Sequence, residues 1–200
     1  MIDPNTRRFL RQWKMMFLVG IMCGLGAILV TLLFFPLEYR ADAQVLVISK
    51  TRYGVDPYTV VKSAERVGEN IAAVMRTNDF FEKAWEQSEY EPEKAYFENI
   101  PERTKLKRWA RAVQPSVVYG TGVLTISGYA TTSQQAVALS GAAASAIVAH
   151  GWEYVGGDVT LKVVNNPVVT GWPVRPNIFM NGMVGFFIGL ILSGFVLTRK

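Results

Sequence analysis

A single cysteine, Cys23, and a single histidine, His150, stand in a chain of 200 residues. One cysteine excludes a disulfide framework and a cysteine-based metal site. One histidine, at the end of an alanine-rich stretch with no serine or cysteine nucleophile to argue beside it, is expected to cap or pack rather than to catalyse. The phosphate-cradling pattern GxxxxGK[ST] is missing, which excludes a P-loop nucleotide site. The carboxylates of Glu86–Glu102 lack the spacing of an EF-hand loop. No catalytic constellation emerges, so the chain is expected not to be an enzyme and to need no cofactor or metal. Excess charge is also missing from the middle of the chain. Residues 37–176 hold 15 basic and 15 acidic side chains, and the whole net +5 comes from Arg7, Arg8, Arg11, Lys14, Arg199 and Lys200 against Asp3. Without a basic patch outside these tails, a nucleic-acid partner is excluded as the reading of the high isoelectric point.

What the sequence has in quantity is apolar residues, and two long runs concentrate them. Met15–Phe35 is 21 residues with Thr31 as its only clearly polar member, flanked by Trp13 and Tyr39. Ile178–Leu197 is an almost uninterrupted apolar run closed by Arg199 and Lys200. About twenty such residues, rising ~1.5 Å each, cross the ~30 Å hydrocarbon core of a bilayer. Ala41-Asp42-Ala43 matches a signal-peptide cleavage pattern, but the first run exceeds the ~7–15 residues of a signal h-region, and the cut would fall within a strand. An uncleaved anchor is therefore expected. Basic residues at both ends place both termini in the cytoplasm and 37–176 outside. The expected organisation is a cytoplasmic tail 1–14, a first transmembrane helix 15–36, an external domain 37–176, a second transmembrane helix 177–197 and a tail 198–200. All eight tyrosines fall between residues 39 and 154, on the external side of this topology.

The external segment reads as strand, helices, hairpin, helix, strand. Tyr39–Ile48 alternates and then turns apolar on both faces, a strand entering a core. Tyr53-Gly54 is a turn signal. Asp56-Pro57 is a helix start, with Val60, Ala64, Val67, Ile71 and Val74 along one face and Lys62/Glu65 and Arg66/Glu69 as pairs on another. A second helix is expected near Asn78, with Phe80, Phe81, Ala84 and Trp85 on its apolar side. Residues 86–111 pass from an acidic half to a basic half and read as a solvated surface, with Pro101 opening a short helix that carries Leu106, Trp109 and Val113. Val117–Tyr119 and Val123–Ser127 around Gly120-Thr121-Gly122 read as a hairpin. Thr132-Ser133-Gln134-Gln135 is a capping box that launches a helix through His150. Its apolar run Ala136–Ala149 is too short to span and is expected to pack closely on a sheet. Val159–Val164 is the last strand. The fold class is α+β: two transmembrane helices flanking a small external α/β sandwich, a mixed sheet with helices packed on it.

Two further patterns concern the apolar helices. Gly20 and Gly24 in the first, and Gly185, Gly189 and Ser193 in the second, put small residues four apart, where helix backbones approach closely; they are expected to serve helix packing or oligomerisation. Asn181, one turn inside the second, is expected to face protein or an interface rather than lipid. Ahead of that helix, Pro167, Pro173 and Pro176 restrict themselves and their predecessors, so 167–176 is expected to act as a semi-rigid strut.

The ordered set resembles the polysaccharide co-polymerases, the Wzz-type chain length determinant family. Tyr39-Arg40-Ala41-Asp42-Ala43-Gln44-Val45-Leu46-Val47 resembles that family's opening strand. Gly122-Val123-Leu124-Thr125-Ile126-Ser127, followed by an alanine-rich helix, resembles its middle. The three prolines before a glycine-rich second helix resemble its proline-rich signature. The resemblance implies an inner-membrane protein that forms ring-like homo-oligomers. It would set the length, or guide the export, of O-antigen, capsular or exopolysaccharide chains together with a polymerase or export machinery. The outer domain is shorter than in typical O-antigen regulators and lacks room for their long protruding helix. The cytoplasmic tyrosine-kinase domain of some capsular members has no counterpart, so a short member is implied, with a separate kinase among its conceivable partners. The competing expectation is a two-pass sensor or adaptor whose external domain binds a ligand; tails as short as 1–14 and 198–200 argue against an output domain for it.

Overall fold

The computed structural model describes residues 4–49, 56–86, 89–93, 96–156 and 159–198. The Tyr53-Gly54 turn lies outside the described residues. Residues 1–37 with 174–200 form one compact unit and residues 38–173 another.

The second unit is built on a four-stranded sheet in the order β2-β3-β1-β4, from β1 (Tyr39–Ser49), β2 (Val113–Val117), β3 (Val123–Ala130) and β4 (Val159–Val169). Every neighbouring pair is antiparallel, which corrects the expected mixed sheet. The reason is topological. Each helical crossover returns the chain parallel to the strand it left, but one position further on, so an oppositely directed strand fills the gap. Helices α2 (Pro57–Val74), α3 (Asn78–Trp85) and α4 (Glu102–Ala112) carry the chain from β1 to β2. Helix α5 (Ser133–His150) and the short α6 (Trp152–Val155) carry it from β3 to β4. This is the β-α-β-β-α-β arrangement of the ferredoxin-like, split-βαβ kind.

One face of the sheet is covered and the other is not, so strand residues alternate. Ala41, Ala43, Val45 and Val47 of β1, Leu124 and Ile126 of β3 and Val113 of β2 are buried. They meet Ala64 and Ile71 of α2, Met75 just past its end, Phe80 and Phe81 of α3, Trp109 of α4 and alanines of α5 in one core. Leu46 and Ile48, which make β1 look two-sided in sequence, lie on the uncovered face, where Ile48 is exposed. On α2 the expected face faces the core, with Ala64 and Ile71 buried and Val67 and Val74 partly buried against it, and Glu65 and Gly68 are buried beside it. Gly68 lets that face come close to Val117, whose Cγ2 would stand 3.2 Å from a Cβ there. Glu65 is thereby buried, and its carboxylate accepts from Lys62 Nζ at 2.8 Å.

The helix starts follow their caps. Asp56 accepts from Thr59 N with Pro57 in the first turn, and Thr77 accepts from Phe80 N. Thr132 accepts from Gln135 N, while the Gln135 side chain accepts from Glu93 N at 2.8 Å instead of closing the capping box. The hairpin differs from the reading in sequence. Its first strand is Val113–Val117, not Val117–Tyr119, and Val113 leaves the helix to begin it. Pro115 hides this strand from sequence, but β2 is an edge strand, where a missing N–H is tolerated. Gly120, at φ 70°, provides the left-handed residue of the turn. Strand β4 also runs past the expected Val164 to Val169 and takes in Pro167, next to two register shifts against β1. The proposed strut is therefore shorter than 167–176: its first three residues belong to the sheet edge.

Helix α5 sits unusually close to the sheet. A Cβ on Gly128 would lie 2.5 Å from Ala136 O and 2.8 Å from Ser140 N, both backbone atoms. Ser140 is fully buried and its hydroxyl donates to Ala136 O at 3.0 Å. Replacing Gly128 with alanine should push α5 off β3. We expect a loss of about 1–3 kcal/mol of stability, the usual cost of overpacking, read as a lower thermal midpoint of the purified chain.

The end of α5 and α6 are tied to α3 by a charged cluster. Lys83 Nζ lies 2.5 Å from Glu153 Oε2, 3.2 Å from Asp79 Oδ2 and 4.7 Å above the Tyr154 ring. The Tyr154 hydroxyl donates to Asp79, and His150 Nδ1 lies 3.0 Å from Glu153 Oε1. The Tyr154 and Lys83 bonds hold the Asp79 carboxyl below the usual range, and Lys83 and His150 do the same for Glu153. Carboxylates with depressed pKa values contribute stability that is present above their unfolded pKa and lost as pH falls through the folded one. The thermal midpoint of Lys83→Met should therefore fall below that of the parent chain at pH 7, and the gap should close as pH is lowered below about 4.

Candidate functional site

The first unit pairs α1 (Pro4–Phe34) with α7 (Ile178–Thr198). Trp13–Phe34 and Ile178–Val196 are long and apolar enough to cross a membrane, with mean hydropathies of 2.6 and 1.9. Only 17% and 11% of their apolar windows are buried, so each presents its outer surface, Leu33 and Phe34 or Phe179 and Ile191 among it, to the surroundings. Such apolar surface is far more than a helix in water leaves uncovered.

The buried side of each helix is a line of small residues. Gly20 and Gly24 of α1 face Gly182, Gly185 and Gly189 of α7, and the helices run antiparallel, with Met16 near Gly194 at one end and Ile28 near Gly182 at the other. A Cβ on Gly185 would lie 2.6 Å from Ala27 Cβ and 2.9 Å from Cys23 O. One on Gly189 would lie 2.8 Å from Cys23 Cβ and 2.9 Å from Gly20 Cα. Phe17 and Phe186 close the side of the seam edge-to-face at 5.3 Å. The four glycines singled out in sequence are thus brought together, but within one chain. Their close approach is used up by the partner helix, and they carry no argument for a second copy. Ser193 is half-buried and donates to Leu190 O of its own helix at 2.9 Å.

Sequence reasoning missed Gly182, although its spacing of three from Gly185 continues the same stripe. It also left Thr31 and Asn181 without partners. In the structure Asn181 Nδ2 donates to Thr31 Oγ1 at 3.2 Å, and Thr31 Oγ1 donates to Ala27 O at 2.8 Å. Thr31 is buried, so the one clearly polar side chain of the first apolar run meets the asparagine of the second. Asn177 caps α7, its Oδ1 accepting from Met180 N.

Of the prolines, Pro167 lies in β4, Pro173 ends the second unit and Pro176 follows a cis peptide bond just ahead of α7. Among the described residues no group of three or more His, Cys, Asp or Glu side chains is placed to hold a metal ion. His150 is the last residue of α5 and is engaged with Glu153. Arg111 of the basic half of the charged segment lies 3.6 Å from Glu38, outside the segment. Lys105 Nζ instead sits 4.9 Å above the Phe81 ring, and Arg108 lies 5.1 Å from the Tyr96 ring while donating to Tyr96 O.

No known family model matches this sequence, and no curated protein matches it.

Removing the interhelical hydrogen bond separates its contribution from packing. Thr31→Val, Asn181→Leu and the double variant should show a coupling of about 0.6 kcal/mol, the usual size between membrane helices, in a double-mutant cycle on the purified protein. Additive losses would mean that the bond contributes nothing.

Proposed function

We propose that the chain is a non-enzymatic, two-pass scaffold of a bacterial inner membrane that regulates the chain length or export of a cell-surface polysaccharide. In this reading α1 and α7 span the bilayer, both termini are cytoplasmic and residues 38–173 lie outside. The observation that carries the reading is the way the outer unit is inserted between the two apolar helices. Strand β1 begins at Tyr39, five residues after α1 ends at Phe34, and its start pairs with the end of β4, Ala41 opposite Val169. Thr170 N donates to Arg40 O at 2.7 Å, which continues the pairing towards the second helix. The chain thus enters and leaves the outer unit at one end of one sheet, and the two helices it joins form a glycine-lined pair. The resemblance in Tyr39–Val47, Gly122–Ser127 and the prolines before α7 supplies the functional class, and a polymerase or exporter and further copies of the chain are the partners it implies.

A scaffold transmits outer-domain geometry through its membrane pair, so disturbing the seam should change product length and leave sugar composition alone. Leucine at Gly185 meets Ala27 Cβ and Cys23 O within 3 Å of the first side-chain atom and must separate the helices. We expect Gly185→Leu, at matched protein level, to shift or broaden the polysaccharide length distribution on gels. A distribution identical to the parent's would reject the scaffold mechanism; altered composition with unchanged length would reject the non-enzymatic reading.

A further inference from the structure

The outer unit contains a cavity that the scaffold reading does not use. It measures about 360 Å³ and lies between α3, the segment 96–100 and the start of α4. Small-ligand sites run from ~300 to 1,000 Å³. Its floor is aromatic: Trp85 stacks on Phe81 at 5.1 Å, and Phe97 meets Trp85 edge-on at 5.2 Å. Its rim is polar, with Glu82 and Glu86 one turn apart on α3, Glu98 and Asn99 on the connecting segment and Lys105 on α4. Arg108 holds that segment by donating to Tyr96 O at 2.8 Å. Glu82, Glu86 and Glu98 form no ion pair among the described residues.

We infer that this cavity binds a neutral or amine-bearing pyranose unit of a saccharide chain. The choice of ligand class rests on the polysaccharide reading; the selectivity rests on the cavity itself. A pyranose has an apolar face of C–H groups and a rim of hydroxyls, and the cavity offers an aromatic floor and a rim of acceptors with one ammonium and one amide among them. Three carboxylates against one ammonium repel anions, which disfavours uronic acids and nucleotides. A purely aliphatic ligand would leave the carboxylate rim unsatisfied.

The test is ligand-observed saturation-transfer NMR on the full chain in lipid nanodiscs, with methyl β-glucopyranoside, glucosamine, glucuronate and butylamine as probes. The expected result is transfer to the glucoside and to glucosamine, with glucuronate weaker by about tenfold. Glu86→Gln with Glu98→Gln, both at exposed positions, should erase the discrimination against glucuronate, and Trp85→Leu should remove transfer to the ring C–H protons. No transfer to any pyranose, equal transfer to glucuronate in the parent chain, or butylamine binding without glucoside binding would overturn the inference. Saccharide binding in a strain whose polysaccharide is unchanged by deletion of the protein would uphold the site and reject the proposed function; a length change without saccharide binding would do the reverse.

Discussion

The sheet unit, residues 38–173, depends on β1 being paired on both sides. It is the first strand in sequence, yet its partners are β3 and β4, some eighty and one hundred and twenty residues later. Until both pairings form, neither face of α5 has a sheet to pack on, and the core that Ala43, Val45 and Val47 begin has no second layer. The same strand lies directly after the first apolar helix, and its last partner lies just ahead of the second. One ladder therefore closes the sheet unit and brings its own first and last residues to one end of the sheet.

Close approach through small residues is the means used in both units. Gly128 admits the backbone of α5, and Gly24, Gly182, Gly185 and Gly189 admit α1 against α7. The contacts include backbone atoms at Gly128, Gly24, Gly185 and Gly189 and the Ile28 side chain at Gly182, and this close approach gains dispersion over a large area. The consequence differs. In the sheet unit the hydrophobic effect also drives the contact; between helices that are apolar all round it cannot discriminate one face from another, and the small-residue stripe with the Asn181–Thr31 bond selects the face.

The charged segment between α3 and α4 shows how aromatic rings redirect electrostatics. Its acidic and basic halves invite a reading of mutual attraction. Lys105 and Arg108 instead settle over Phe81 and Tyr96, because exposed ion pairs contribute little while a ring face adds contact to the lysine and arginine stems. Glu86 and Glu98 are left lining a cavity.

The sequence by itself determined what local chemistry can encode. Asp56-Pro57, Thr77 and Thr132 start helices because an oxygen acceptor at the cap satisfies a free N–H, and the alanine-rich α5 is buried because it is apolar all round yet too short to span. The lengths of the apolar helices, the neutrality of the segment between them and the glycine stripes were equally legible, being matters of composition and spacing. Only the tertiary structure decided which faces meet. Strand β2 was obscured by Pro115, harmless only because the strand is at an edge; β4 ran on through Pro167 because a register shift accommodates it. That the sheet is antiparallel throughout, that the glycines of α1 take those of α7 as partners, and that Thr31 reaches Asn181 are long-range pairings. Residues 150 apart share no local signal, and their meeting is set by which arrangement buries most surface with every polar group satisfied.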